Sequence, residues 1–314
     1  MDGYVLRRIG SLVPVLFLSS IIVFLLIYMI PGDPVLALLP PDPRPEQIEA
    51  TRAHYGFDRP LAEQYLRWLS RVATGDLGQS ISKGVAVGRL LRESFSVTVQ
   101  LASSAFLLAL AIALPLGIAA GLKPGGRLAT FLNFYATMGL AIPAFWVGIL
   151  LILVCGVWLQ WLPTSGFRGI LRDPVQAVRF LILPAITLSL PQSAVLASFL
   201  RYSVQAVQGA DYVTAAVANG LPRRLIVFKV IVKNALIPVV TVAALQLGHL
   251  LGGTVVVESV FSIPGLGRLL VDSIAARDYP VIQGALLLIL SVFISLNFAT
   301  DLLYSWLDPR VRVH

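Results

Sequence analysis

Charge is what this sequence has least of. Asp, Glu, Lys and Arg make up 13% of its 314 residues, about half the roughly 25% of an ordinary soluble domain. Cysteine is nearly absent. Cys155 stands alone inside an apolar run, which excludes an intrachain disulfide and a cysteine zinc site and leaves the role of a small buried hydrophobe. No G-x-x-x-x-G-K-[ST], H-E-x-x-H, G-x-S-x-G or EF-hand spacing occurs, so the chain carries no Walker-type nucleotide site and none of these hydrolase or metal motifs. Its three histidines, His54, His249 and His314, are far apart in sequence. No basic stripe interleaved with aromatics is present. The net charge of +8 is therefore read as topological bias and contact with membrane lipid, with no nucleic-acid partner.

What is present is hydrophobicity. Apolar residues make up 57% of the chain, and the mean hydropathy is +0.84. Six runs reach the roughly 20 apolar residues that a membrane-crossing helix needs: 9–30, 97–121, 130–157, 180–200, 236–257 and 282–305. The expected fold is an all-α polytopic membrane protein with six transmembrane helices in a single domain, 1–314. Arg7 and Arg8 precede the first run, but that run exceeds a signal-peptide core and leads into Pro31-Gly32-Asp33-Pro34 rather than a small-x-small cleavage site. It is read as a retained span. With the N-terminus inside, eleven basic residues fall in inside segments, among them Lys123, Arg127, Arg201, Arg223, Arg224, Lys229 and Lys233. The long 31–96 connection holds most of the rest, and long loops count little in this rule. Both termini are thus placed in the cytoplasm.

Two connections are too structured to be spacers. In the external segment 31–96, Pro45 to Tyr55 reads as a short helix. Asp58-Arg59-Pro60 opens a second, amphipathic one, stopped by Gly75-Asp76-Leu77-Gly78; it suits a cover on the membrane surface, a docking surface for an external partner, or both. In the segment 201–235, small residues from Asp211 to Ala218 lead into Asn219-Gly220, where a helix can end on positive φ, and Pro222 suits the first turn of the next. The prediction is a helix–Gly–helix hairpin that a soluble partner can grip, narrow because Ala215, Ala216 and Ala218 are small. Between these, Gly117-x-x-x-Gly121 and Gly248-x-x-x-Gly252 read as close helix contacts.

No Asp, Glu, Lys or Arg falls in the middle of a run. Ion-coupled carriers commonly place relay groups there, so a secondary transporter or channel is the weaker alternative, and the energy source is expected elsewhere. A membrane-embedded enzyme is disfavoured because no His/Asp/Ser/Glu constellation lies within the runs. The polar residues that do occur in them are Gln100, Asn133, Gln192, Gln246, His249, Gln283 and Asn297. They read first as interhelical hydrogen bonding. Gln246 and His249 are the candidates for a translocation path, His249 foremost.

Six motifs in order now carry a resemblance that covers nearly the whole chain. They are Tyr4-x-x-Arg7-Arg8 with Pro14 and Pro31-Gly32-Asp33-Pro34; Gly75-Asp76-Leu77-Gly78-x-Ser80; Asp211-Tyr212-x-x-x-Ala216-x-Ala218-x-Gly220-Leu221-Pro222 followed by Asn234-Ala235-Leu236-Ile237-Pro238; Phe261-x-x-Pro264-Gly265-Leu266-Gly267-Arg268; Arg277-Asp278-Tyr279-Pro280-Val281; and Asp308-Pro309-Arg310-Val311-Arg312. The chain resembles the permease subunits of dipeptide, oligopeptide, glutathione and nickel ABC importers. That resemblance implies a type I importer-like transmembrane domain in the bacterial inner membrane, with no catalysis and no cofactor on this chain. It implies a homologous second permease, two ATPase subunits (or one fused or homodimeric ATPase) holding ATP and magnesium, and an external substrate-binding protein. It assigns ATPase coupling to Asp211, Tyr212, Thr214, Ala215, Ala216, Ala218, Gly220, Leu221 and Pro222. The cargo it implies is a di- or oligopeptide, with glutathione or nickel as alternatives. One departure stands out: Thr214, Val217 and Asn219 occupy positions where members often carry basic residues, and Thr214 also stands where the wider importer motif has Glu.

Overall fold

A peptide group in hydrocarbon has no water to bond to, so an apolar run of this length must close its own hydrogen bonds, and a helix does so locally. The structure is a computed structural model and describes residues 2–29, 33, 35–36, 39, 42–171 and 173–307. Among them, twelve α-helices and no strands occur: α1 Asp2–Met29, α2 Pro45–Tyr55, α3 Leu61–Ala73, α4 Val87–Leu122, α5 Arg127–Ala141, α6 Ala144–Leu151, α7 Pro174–Gln208, α8 Asp211–Ala218, α9 Arg223–Leu225, α10 Lys233–Val260, α11 Leu266–Ala275 and α12 Tyr279–Leu307. Short π-helical segments, Ile152–Trp158 and Ile226–Val232, extend α6 and join α9 to α10. The predicted helices at 45–55 and after Pro60 are α2 and α3. Of the resembling motifs, Pro31, Gly32, Pro34 and Asp308 to Arg312 lie outside the described residues, as do the side chains of Tyr4, Arg7, Arg8 and His54.

Five helices are long and apolar enough to cross a membrane, and α5 with α6 makes a sixth if the bent pair crosses as one. The run 130–157, expected as one span, turns by 97° at Ile142 and Pro143. Proline crowds the residue before it out of the α region, and Ile142 accordingly sits extended at φ −89°, ψ 124°. Pro115, Pro184, Pro191 and Pro238 lie inside continuous helices.

The chain forms two compact units. One holds the described residues up to Ser96 together with Gly265–Ser295; the other holds Val97–Pro264 and the described residues from Leu296 on. In the first, Phe17 and Phe24 of α1 meet Tyr65 and Trp68 of α3 at ring-centroid distances of 5.5 to 6.2 Å, and the Ser20 and Tyr65 hydroxyls bond at 2.8 Å. α3 also leaves Leu61 and Leu66 exposed, as an interfacial cover requires. The core of this unit is Val87, Leu91, Leu266, Leu269, Val281 and Ala285.

In the second unit α7 is central. Leu181, Leu183, Leu188, Leu196, Leu200 and Val204 are all buried along it. Cys155 is half-buried against the same core, as a small hydrophobe would be. The two small-residue motifs part company here. A Cβ on Gly117 would sit 2.8 Å from the Ala197 carbonyl oxygen, and one on Gly121 would sit 2.7 Å from the Val204 side chain; these glycines let α4 lie against α7, as expected. Gly252 has nothing within 4 Å of that position, so it serves no contact among the described residues, whereas Gly248 of the same motif is buried.

This contrast is testable. Gly121→Val should destabilise the folded protein by about 1–3 kcal/mol, the usual cost of overpacking. Gly252→Ala should stay within about 0.5 kcal/mol, as an uncrowded substitution does. Thermal unfolding of the purified protein in detergent would show it, and equal midpoints for the two variants would contradict this packing.

Candidate functional site

The hairpin predicted at 201–235 is built from the end of α7, α8 and the α9 turn. Gly209 and Ala210 interrupt the helix, and α8 restarts with Asp211 in its first turn, where a carboxylate suits the positive end of the helix dipole. At the other end the Leu221 N–H donates to the Ala216 carbonyl at 3.3 Å and the Gly220 N–H to that of Val217 at 3.0 Å. This pair of bonds closes a helix on a left-handed residue, and Gly220 lies at φ +73°. Pro222 then begins α9, its carbonyl accepting from the Leu225 and Ile226 N–H groups at 2.8 and 3.1 Å.

Two of the eight α8 residues, Val213 and Ala216, point inward. They are buried against Leu200, Val204, Ile226, Ile231, Ala235 and Val239, which belong to α7, the π-helical segment and the start of α10. The Ser203 hydroxyl adds a bond from α7 to the Ala235 carbonyl at 2.8 Å. Asp211, Tyr212, Thr214, Ala215, Ala218, Gly220, Leu221 and Pro222 are exposed. Among the predicted coupling residues, Ala216 is thus the one whose side chain is buried, seating α8 on the span core. Its spacing of three from Val213 was the available signal, since residues i and i+3 share a helix face. The exposed surface of the hairpin is partly apolar, with Tyr212, Val217 and Leu221 at 49%, 60% and 44% exposure; Val217 and Leu221 line a groove with Val213.

The two path candidates separate. The Gln246 amide donates to the Gln192 side-chain oxygen at 2.6 Å and ties α10 to α7, the interhelical role. His249 is exposed on α10, on a stripe with Leu245, Gly252, Gly253 and Val256. Of the other polar span residues, Gln100 accepts from the Ile170 N–H at 3.0 Å and Asn133 from Arg201. No cluster of three His, Cys, Asp or Glu placed to hold a metal ion occurs among the described residues.

Two buried carboxylates were missed. Glu258, in the last turn of α10, is fully buried and accepts from the Thr98 hydroxyl at 2.6 Å. Asp278 is also fully buried. It joins two motifs far apart in sequence, accepting from the hydroxyls of Ser80 and Ser82 and from the backbone N–H groups of Ile81 and Ser82, the last three at 2.7 to 3.1 Å. The turn 81–84 is thereby clasped to the start of α12. Burial pushes the Asp278 carboxyl up, but these four hydrogen bonds together outweigh it and hold the group below the ordinary aspartate range.

A family model described as "Binding-protein-dependent transport system inner membrane component" matches residues 113–313. A second, "Binding-prot-dependent transport system membrane comp, N-term", matches residues 1–104. The chain is similar to a probable peptide ABC transporter permease protein of Sinorhizobium fredii, at 34% identity over 99% of this chain and 100% of that protein. It is similar to a putative peptide transport system permease protein of Brucella abortus at 35% identity, over 99% of each. It is also similar to a glutathione transport system permease protein of Escherichia coli at 39% identity, again over 99% of each. Among solved structures, the crystal structure of an amino acid ABC transporter with histidines contains a chain of the same fold, with a TM-score of 0.52 and 15% identity over 69% of this chain and 93% of that one.

The Asp278 clasp has a pH signature. A carboxyl whose pKa is depressed by folding adds stability above its unfolded pKa, about 3.9, and loses it as pH falls through the folded value. Hydrogen exchange should find residues 80–84 protected from neutral pH down to about pH 4 and opening below it. Asp278→Asn should open the turn at every pH, at about 1.5–3 kcal/mol for the weakened charged hydrogen bonding. A turn whose protection is the same in both proteins at pH 7 would rule the clasp out.

Proposed function

The chain belongs to the binding-protein-dependent transport system inner membrane components and is a permease subunit of an ABC importer, and we propose that its cargo is a short peptide and that the force of ATP hydrolysis enters it through α8. The observation that carries this reading is the two-sided helix. A rigid eight-residue element is seated on the span core by Val213 and Ala216 while its partly apolar exposed face is left open. A push on that face moves the ends of α7 and α10 together, because both belong to the core beneath it.

This chain holds the translocation half and the motor lies on partners. A homologous second permease completes the path, two ATPase subunits carry ATP and magnesium, and an external binding protein delivers cargo. Both termini lie in the cytoplasm, which puts the hairpin on the ATPase side. Asp211, Tyr212, Thr214, Ala215, Ala218, Gly220, Leu221 and Pro222 form or shape the ATPase contact; Ala216 positions the helix from behind. With Thr214, Val217 and Asn219 uncharged, that contact is apolar rather than ionic. His249, on the open stripe of α10, faces the path. The relatives named for peptides and for glutathione converge on one cargo chemistry, since glutathione is itself a tripeptide.

The test is ATP-driven uptake by the complete importer in vesicles, with labelled dipeptide and labelled glutathione as cargo. Uptake of a short peptide that needs both ATP and the binding protein is expected. Gly220→Val should insert normally, since the spans are untouched, yet strain a left-handed backbone position by roughly 1–3 kcal/mol, with less ATPase co-purified and slower uptake. Uptake by this chain alone under an ion gradient, or wild-type uptake by Gly220→Val, would refute the reading.

A further inference from the structure

α8 does not meet solvent as a plain ridge. It borders a groove of about 910 Å³. Val217 and Leu221 of the hairpin line it, with Leu122 and Leu128 on either side of the α4–α5 turn and Ile226 and Ile231 of the π-helical segment. Ile226 and Ile231 are buried, whereas Leu128, Val217 and Leu221 are exposed large apolar side chains. No acidic residue lines the groove, and three basic residues do: Lys123 and Arg127 at the α4–α5 turn and Arg223 at the start of α9. All three are exposed, and none forms an ion pair among the described residues.

An apolar hollow of this size is unfavourable in water, and a partner side chain that fills it gains what burial yields. Two observations select the partner. Thr214 and Leu221 belong both to the groove and to the proposed ATPase contact, so a subunit seated on them covers the groove as well. The charge along the groove has one sign, which favours a partner surface carrying Asp or Glu and repels a basic one. We propose that the ATPase subunit seated on this chain inserts an apolar side chain into the groove and sets acidic side chains beside it, against Lys123, Arg127 and Arg223. The proposal rests on the reading that makes α8 the ATPase contact. The cations stand on two separate elements and each meets an acidic side chain of its own, so no common ion is required.

The groove also accounts for the missing charge of α8. Thr214, Val217 and Asn219 leave that helix without a cation, and the α4–α5 turn and α9 supply the positive charge from its flanks. The filled groove then governs how long the complex lasts, and the exposed cations govern how fast it forms and how it responds to salt. A side chain lodged between α8 and the α4–α5 turn holds the two together, so the subunit moves α4 along with α7 and α10.

Photo-crosslinking in the complete importer tests this. Leu128 lines the groove from α5 and is no part of the hairpin. Benzoylphenylalanine in place of Leu128 should crosslink to an ATPase subunit, at a segment carrying Asp or Glu. The combined variant Lys123→Gln, Arg127→Gln, Arg223→Gln should bind the ATPase on the order of tenfold more weakly at low salt, as three exposed ion pairs would give, and its affinity should depend less on salt than that of the wild type. A crosslink only to lipid or to the second permease, no crosslink at all, or an unchanged affinity and salt response in the charge variant would overturn the proposal. Gly220→Val separates that result from failure of the reading beneath it. If Gly220→Val loses ATPase and the charge variant does not, α8 is the contact and the groove is not; if neither loses it, both fail.

Discussion

An unpaired peptide group in hydrocarbon costs several kcal/mol, and this penalty governs where the chain is free to be anything but a helix. Among the described residues, irregular backbone lies mostly at the ends of the apolar runs, the bend at Ile142 and Pro143 being the exception. The left-handed positions follow that rule. Gly125 turns α4 into α5, Gly220 ends α8, Ser262 follows α10 and Arg277 precedes α12. Each carries the chain out of one helix and towards the next, and the short helices α8, α9 and α11 fill the spaces so made. Function gathers at such turns, because only there can the chain present a shape to a soluble partner.

At the hairpin this constraint becomes a mechanism. α8 is too short to be stable alone, since isolated helices below about 12–15 residues are marginal in water. It persists because Val213 and Ala216 bury themselves against α7 and α10 and because Gly220 closes its end. The same contacts that stabilise it bind it mechanically to the spans. Gly117 and Gly121 extend the linkage by bringing α4 within backbone distance of α7. A close-packed core transmits displacement rather than absorbing it, so motion at α8 passes into three long helices together. In the proposed assembly an ATPase acts on the open face.

Much of this was legible in the sequence for identifiable reasons. Long apolar runs mark the spans because lipid tolerates little else. Asn219-Gly220 before Pro222 marks the hairpin turn because those residue types suit left-handed and first-turn positions. What was not legible depended on contacts between distant residues. Asp278 and Ser80 are 198 residues apart, and neither alone announces a clasp. The bend at Ile142 and Pro143 was masked by unbroken hydrophobicity, and prolines at 115, 184, 191 and 238 do not break their helices, so proline alone does not predict one. Gly252 shares the spacing of Gly121 but faces no neighbour, and spacing cannot distinguish them. That Ala216 would be buried was readable from its register with Val213, where only its smallness was weighed.

The central claim is that α8 is the element the ATPase subunits grip. Hydrogen exchange of the permease pair, with and without its ATPase subunits, tests this most directly. Residues 211–222 should exchange more slowly when the ATPases are bound, with Val213 and Ala216 already slow beforehand because they are packed against the spans. Unchanged exchange across 211–222, with new protection appearing only elsewhere, would contradict the account.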